Sequence, residues 1–221
     1  MIKTKKHQCA LFDLDGVLVD TAKYHFLAWK KIAARFDYKL TEADNEQLKG
    51  VSRSDSLKII LSLAGKELDK ETFKKFLHQK NKDYLNLIRE VTPKDLLAGV
   101  KSTLDFLKES RVKIGLGSAS KNALIILEKL QITSYFETIV DGNSVQNGKP
   151  HPEIFLKGCK ALKVAPEDCI VFEDSQAGIL AAKAGGMTAI ALGKPELFSQ
   201  MDHCFPDLES IDKNKLQALF N

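Results

Sequence analysis

No apolar run in this 221-residue chain approaches the ~18 residues a transmembrane helix needs; the segment Cys9-Ala10-Leu11-Phe12 stops at Asp13. Neither a membrane span nor a signal peptide is expected, and a membrane is not an expected partner. The four cysteines, Cys9, Cys159, Cys169 and Cys204, include no CxxC pair, so their spacing suggests neither a zinc knuckle nor a disulfide framework. The expected compartment is the reducing cytoplasm. Basic clusters interleaved with aromatic residues are also lacking, so the formal charge of +4 does not point to nucleic acid. Compositional bias is absent: 44% apolar and 28% charged residues exclude disorder and fibrous repeats. At roughly 100–200 residues per domain, the length fits one domain carrying a smaller one.

What is present is unevenly distributed. Residues 20–90 hold 15 Lys/Arg against 11 Asp/Glu, while the remainder holds 18 of each, so the whole positive surplus belongs to one internal segment. Its periodicity is helical. Phe26, Trp29, Ala33 and Phe36 recur at steps of three and four, leaving Lys30, Lys31 and Arg35 on the wet side. Thr41 and Ser52 have the pattern of N-caps, each with an Asp three residues on, and Asp69 is placed to cap a longer helix. No alternating strand interrupts this stretch, which predicts a helical bundle inserted into the chain.

On either side, short apolar runs alternate with helical ones. Residues 8–12, 112–116, 138–140, 169–172 and 187–192 read as strands, with helices near 100–110, 121–131, 152–163 and 175–185 and a last strand and helix in 201–221. This is the α/β pattern of a parallel sheet, in which ligands bind beyond the carboxyl ends of the strands. Those ends are chemically loaded with Asp13-Leu14-Asp15-Gly16, Ser118-Ala119-Ser120, Lys149-Pro150 and Glu173-Asp174. Carboxylates gathered on one rim repel unless a cation lies among them, and their hard oxygens suit Mg²⁺.

Phe12-Asp13-Leu14-Asp15-Gly16-Val17-Leu18, Ser118, Lys149-Pro150-His151-Pro152-Glu153-Ile154-Phe155 and Phe172-Glu173-Asp174-Ser175-Gln176-Ala177-Gly178 together closely resemble the haloacid dehalogenase superfamily of phosphotransferases. The resemblance covers essentially the whole chain. It implies a Rossmann-like catalytic core, residues 1–19 and 91–221, and a helical cap domain, residues 20–90, with hinges near 19–21 and 91–94. It also implies roles. Asp13 is the expected nucleophile and Asp15 the expected acid and base, an assignment that favours phosphoryl transfer at oxygen over dehalogenation. The expected Mg²⁺ ligands are Asp13, the Asp15 backbone carbonyl and Asp174, with Glu173 assisting. Lys149, set in extended backbone by Pro150, is expected to aim its ammonium at the phosphate and the nucleophilic carboxylate, and Ser118 is expected at the phosphate, with the Ala119 and Ser120 amides opening the next helix as an anion cradle.

Within residues 20–90, Leu48-Lys49-Gly50-Val51-Ser52-Arg53-Ser54-Asp55-Ser56 resembles the specificity loop of β-phosphoglucomutases. Thr21, Tyr24-His25-Phe26, Trp29, Lys80-Asn81 and Ser118-Ala119-Ser120-Lys121-Asn122 extend that likeness. It implies interconversion of β-glucose 1-phosphate and glucose 6-phosphate through an aspartyl phosphate and a 1,6-bisphosphate, by a monomer whose partner is a small sugar phosphate. The expected substrate contacts are Thr21, His25, Trp29, Lys49, Gly50, Ser52, Arg53, Lys80, Ala119, Ser120, Lys121 and Asn122, with Trp29 more a core residue than a sugar platform. The alternatives are a capped sugar-phosphate phosphatase and a signalling domain that merely accepts phosphate on Asp.

Overall fold

The computed structural model describes residues 7–221. Strand β1 (Cys9–Phe12) is buried on both faces, and its side chains alternate between two cores. Ala10 and Phe12 enter one; Cys9 and Leu11 enter the other. Such a strand needs neighbours on both edges and helices on both faces. The chain supplies them as β2 (Lys113–Gly117), β3 (Thr138–Val140), β4 (Cys169–Glu173), β5 (Thr188–Leu192) and β6 (His203–Phe205), in the order β3-β2-β1-β4-β5-β6 with every pairing parallel.

Between β1 and β2 stand α1 (Ala22–Ala34), α2 (Glu42–Glu46), α3 (Arg53–Leu63) and α4 (Lys70–Leu87). The caps read from the sequence are in place: Thr41 accepts from the Asp44 amide, Ser52 from Asp55, and Asp69 from Glu71 and Thr72. These helices bury a core of their own, with Trp29, Ile32 and Ala33 of α1 against Leu57, Ile60 and Leu61 of α3 and the partly buried Phe73, Phe76 and Leu77 of α4. Their base is continuous with the sheet's core through Ala28, Tyr84, Ile88 and Val91. Where the chain leaves and re-enters the sheet, its two passes lie side by side, with the Leu97 amide donating to the Leu18 carbonyl and Val19 bridged to Leu96.

Helices α5 (Val100–Glu109), α6 (Ala123–Lys129) and α9 (Lys213–Phe220) cover one face of the sheet, and α7 (Glu153–Leu162) and α8 (Gln176–Ala184) the other. Among the described residues no helix is long and apolar enough to cross a membrane.

Candidate active site

The carboxyl ends of β1, β2 and β4 open onto a cleft roofed by α1, α3 and α4. Asp13 follows β1 directly, its amide donating to the Phe172 carbonyl at 3.0 Å. Two residues on, Asp15 lies on a turn that Gly16 makes at φ +85°. At Gly16 a Cβ would stand 1.9 Å from Asp174 Oδ2, so only glycine lets the Asp174 carboxylate swing in beside Asp13. Asp13, Glu173 and Asp174 each bring a carboxylate oxygen within 4.8 Å of the others. Such a group of hard oxygens fits a small divalent cation.

Electrostatics say the same. Burial, against the pull of Lys149, pushes Asp13 up to about 6. Burial, then the charges of Glu173 and Asp13, hold Asp174 well above the carboxylate range. Asp15 rises to about 7 through burial and the Asp13 charge. Behind them the Lys149 ammonium, fully buried, donates to Asp13 Oδ1 at 2.6 Å and to Glu173 Oε1 at 2.5 Å. Burial penalises that ammonium, but its two carboxylates outweigh the penalty and hold its pKa above the ordinary lysine value.

Glu173 is committed elsewhere. Its Oε2 accepts from both the amide and the hydroxyl of Ser175, each at 2.8 Å, while Oε1 takes Lys149. It therefore anchors Lys149 and the start of α8, and the cleft wall is formed by Asp13, Asp15 and Asp174.

The roof is cationic. Lys49, Arg53 and Lys80 line it with His25, Trp29 and Gly50, across from Ala119, Ser120 and Lys121 of the β2–α6 turn. Gly50, at φ +71°, lies on the start of α8, where a Cβ would stand 2.2 Å from Ser175 Oγ. Lys80 Nζ sits 2.7 Å from His25 Nδ1 and 4.9 Å from the Trp29 ring centroid. Burial and the Arg53 charge bring Lys80 down to about 7; burial, Lys80 and Arg53 keep His25 neutral, well below its ordinary value. With Lys80 protonated, Nδ1 accepts, so Nε2 carries the proton 3.7 Å from Asp15 Oδ1. That buried Nε2 has no hydrogen-bond partner among the described residues.

Several residues expected at the substrate stand behind the cleft wall instead. The Ser52 hydroxyl is spent on the α3 cap, accepting from the Asp55 amide and donating to Asp55 Oδ2 at 2.6 Å. Thr21 is fully buried and donates to Asp15 Oδ1, so it can act only through that acid. Ser118 is also fully buried, its Oγ accepting from the Ser120 amide at 3.1 Å. The expected helix start is two residues early: Ser120 and Asn122 close successive side-chain turns, α6 opens only at Ala123, and the Ser120 amide is already taken. Asn122 turns away, its Nδ2 donating to Asn81 Oδ1 of α4 at 2.9 Å.

Four cleft or cleft-side groups were given no role from the sequence. Asn45 and Ser56 line the cleft. Tyr84 is fully buried with its ring 4.0 Å from that of His25. Asn81 is the fourth. Ser56 and Asn81 lie inside the stretches that carry the family likeness, and Tyr84 lies one helical turn beyond Lys80, on the same face.

The profile of the haloacid dehalogenase-like hydrolases matches residues 10–192. The chain is 47% identical over 189 residues to a β-phosphoglucomutase of Bacillus subtilis, covering 85% of this chain and 84% of that protein. It is 35% identical over 185 residues to a phosphorylated carbohydrates phosphatase of Thermotoga maritima, covering 83% of each. The crystal structure of a β-phosphoglucomutase from Clostridium difficile superposes with a TM-score of 0.93 at 38% identity, covering 97% of both chains.

Proposed function

Because the chain belongs to the haloacid dehalogenase-like hydrolase family, we propose that it works as a β-phosphoglucomutase, interconverting β-glucose 1-phosphate and glucose 6-phosphate through a phosphorylated Asp13 and a glucose 1,6-bisphosphate. The observation that carries this reading is that one cleft holds both a nucleophilic carboxylate backed by acids and, on its opposite wall, a second set of anion-binding groups. A bisphosphate needs both. A simple phosphatase needs a site for only one phosphate.

Asp13 attacks phosphorus in line, and the bond from phosphorus to the sugar oxygen breaks. Asp15 supplies the proton that the departing oxygen takes up; in the return step it removes one from the incoming hydroxyl. A carboxyl raised to about 7 can hold that proton at neutral pH and release it again. Thr21 fixes the direction of the Asp15 carboxyl, and His25 Nε2 faces it at 3.7 Å without bonding it. Lys149 holds Asp13 ionised and aimed. Asp13, the Asp15 carbonyl and Asp174 would hold Mg²⁺, which when bound screens these carboxylates from the phosphate and polarises it. Arg53, at the first position of α3, receives the phosphate that is not reacting, since its forked guanidinium and the helix N-terminus both favour an anion. Residues 20–90 act as a lid that excludes water while the bisphosphate turns over.

The enzyme, given β-glucose 1-phosphate, Mg²⁺ and a trace of the 1,6-bisphosphate, should release glucose 6-phosphate as its main product. Predominant inorganic phosphate would reverse the reading in favour of a sugar-phosphate phosphatase. Arg53→Ala removes a charge-assisted contact of about 1.5–3 kcal/mol, so kcat/KM should fall roughly 10- to 100-fold. An unchanged kcat/KM would remove Arg53 from the distal phosphate.

A further inference from the structure

We propose that Asn81 and Asn122 form an amide latch holding the helical lid on the core, which makes Asn81 a positioning residue for phosphoryl transfer; the inference rests on the phosphoenzyme reading above. Asn122 Nδ2 donates to Asn81 Oδ1 at 2.9 Å, across 41 positions of sequence. The core end of this bond is stiff. Ser118 Oγ accepts from the Ser120 amide, Ser120 Oγ from the Asn122 amide, the Ser120 carbonyl from the Gly142 amide, and the Lys121 carbonyl from Asn143 Nδ2.

The lid end is functional. Asn81 directly follows Lys80 on α4, and Lys80 Nζ holds His25, whose other ring nitrogen faces Asp15. A bond that draws α4 onto the 118–122 turn therefore seats Lys80 and His25 over the acid and base. The lid wall carries Lys49, Arg53 and Lys80, the cations left to meet phosphate. A neutral amide pair closes the lid without competing with phosphate for any of those cations. Asn122, 7% exposed, commits one amide hydrogen to this bond.

The test reads water leakage rather than sugar turnover. The enzyme is phosphorylated with acetyl phosphate and Mg²⁺, the donor is removed, and decay of the acid-labile phosphoenzyme to inorganic phosphate is followed. Loss of one neutral hydrogen bond should speed decay about 2- to 10-fold in Asn81→Ala and in Asn122→Ala, and the double variant should decay no faster than the quicker single. Asn81→Asp keeps the acceptor oxygen, so it should decay at close to the parent rate. An unchanged decay in Asn81→Ala, additive effects in the double variant, or an Asn81→Asp as leaky as Asn81→Ala would each overturn the latch. A lowered thermal midpoint with unchanged decay would reduce the pair to a structural contact. Failure of the mutase reading shows separately, as absence of glucose 6-phosphate from the parent enzyme.

Discussion

Replacing Asp13 by Asn should lower kcat by roughly four to six orders of magnitude, the range seen when a covalent nucleophile is removed from a site that keeps its other groups. The reason is chemical, since an amide oxygen is too weak a nucleophile to take a phosphoryl group and no other carboxylate stands where Asp13 does. The fold should survive. Asn retains an oxygen for Lys149, whose second partner Glu173 is untouched. It also removes a charge that raises Asp15 and Asp174. The thermal midpoint should therefore stay at or above that of the parent, while the acid-labile phosphoenzyme disappears. Asp15→Asn should behave differently: the phosphoenzyme still forms from the bisphosphate, but each turnover slows by roughly 10²–10⁴ because proton transfer is lost. Rapid-quench measurement of phosphoenzyme in the two variants separates these outcomes, and phosphorylation that persists in Asp13→Asn would overturn the nucleophile assignment.

The place of these neighbouring acids on the rim was legible in the sequence; much of what positions them was not. Strands buried on both faces are short apolar runs that end where the first polar side chain meets the rim, so β1 and β4 could be bounded to a residue or two and Asp13 and Asp174 placed just past them. Helix caps are equally local: Thr41, Ser52 and Asp69 act on amides two or three residues ahead. The 118–122 turn misled for the same reason. A Ser followed by a helical pattern predicts a cap, but two serines two apart made consecutive side-chain turns, consumed the Ser120 amide and delayed α6. Asn81 meeting Asn122 leaves no local trace because the pair is brought together only by the fold, whereas Lys149 meeting Asp13, 136 positions earlier, was expected from the family likeness and the Pro that follows it.

Lys149→Met tests the deepest of these long-range contacts, and beyond the loss of activity it should lower stability sharply. Lys149 is 3% exposed, and its Nζ lies 4.8 Å from the Phe155 ring centroid. Methionine follows that unbranched stem to within one atom and keeps the site apolar. What it cannot do is neutralise Asp13 and Glu173, which are left as adjacent carboxylates in a dry site. Breaking a buried pair from one side costs about 3–5 kcal/mol. For a chain of this length each kcal/mol lowers Tm by roughly 2–4 °C, so a fall of about 6–20 °C is expected. The pH dependence fixes the cause. Asp13 already lies at about 6, above its ordinary 3.8, so its ionisation opposes folding as pH rises from about 4 through 6. Without Lys149 the folded-state value rises further, the folded protein binds more protons than the unfolded chain over a wider span, and stability must fall with increasing pH. The deficit relative to the parent should be largest near pH 8 and shrink towards pH 5, where the stranded pair can take up a proton. Adding Asp13→Asn to Lys149→Met should recover part of the lost stability by removing one of the opposed charges, although the protein stays inactive. A deficit independent of pH, or no recovery in the double variant, would mean that lost packing and not stranded charge destabilises Lys149→Met.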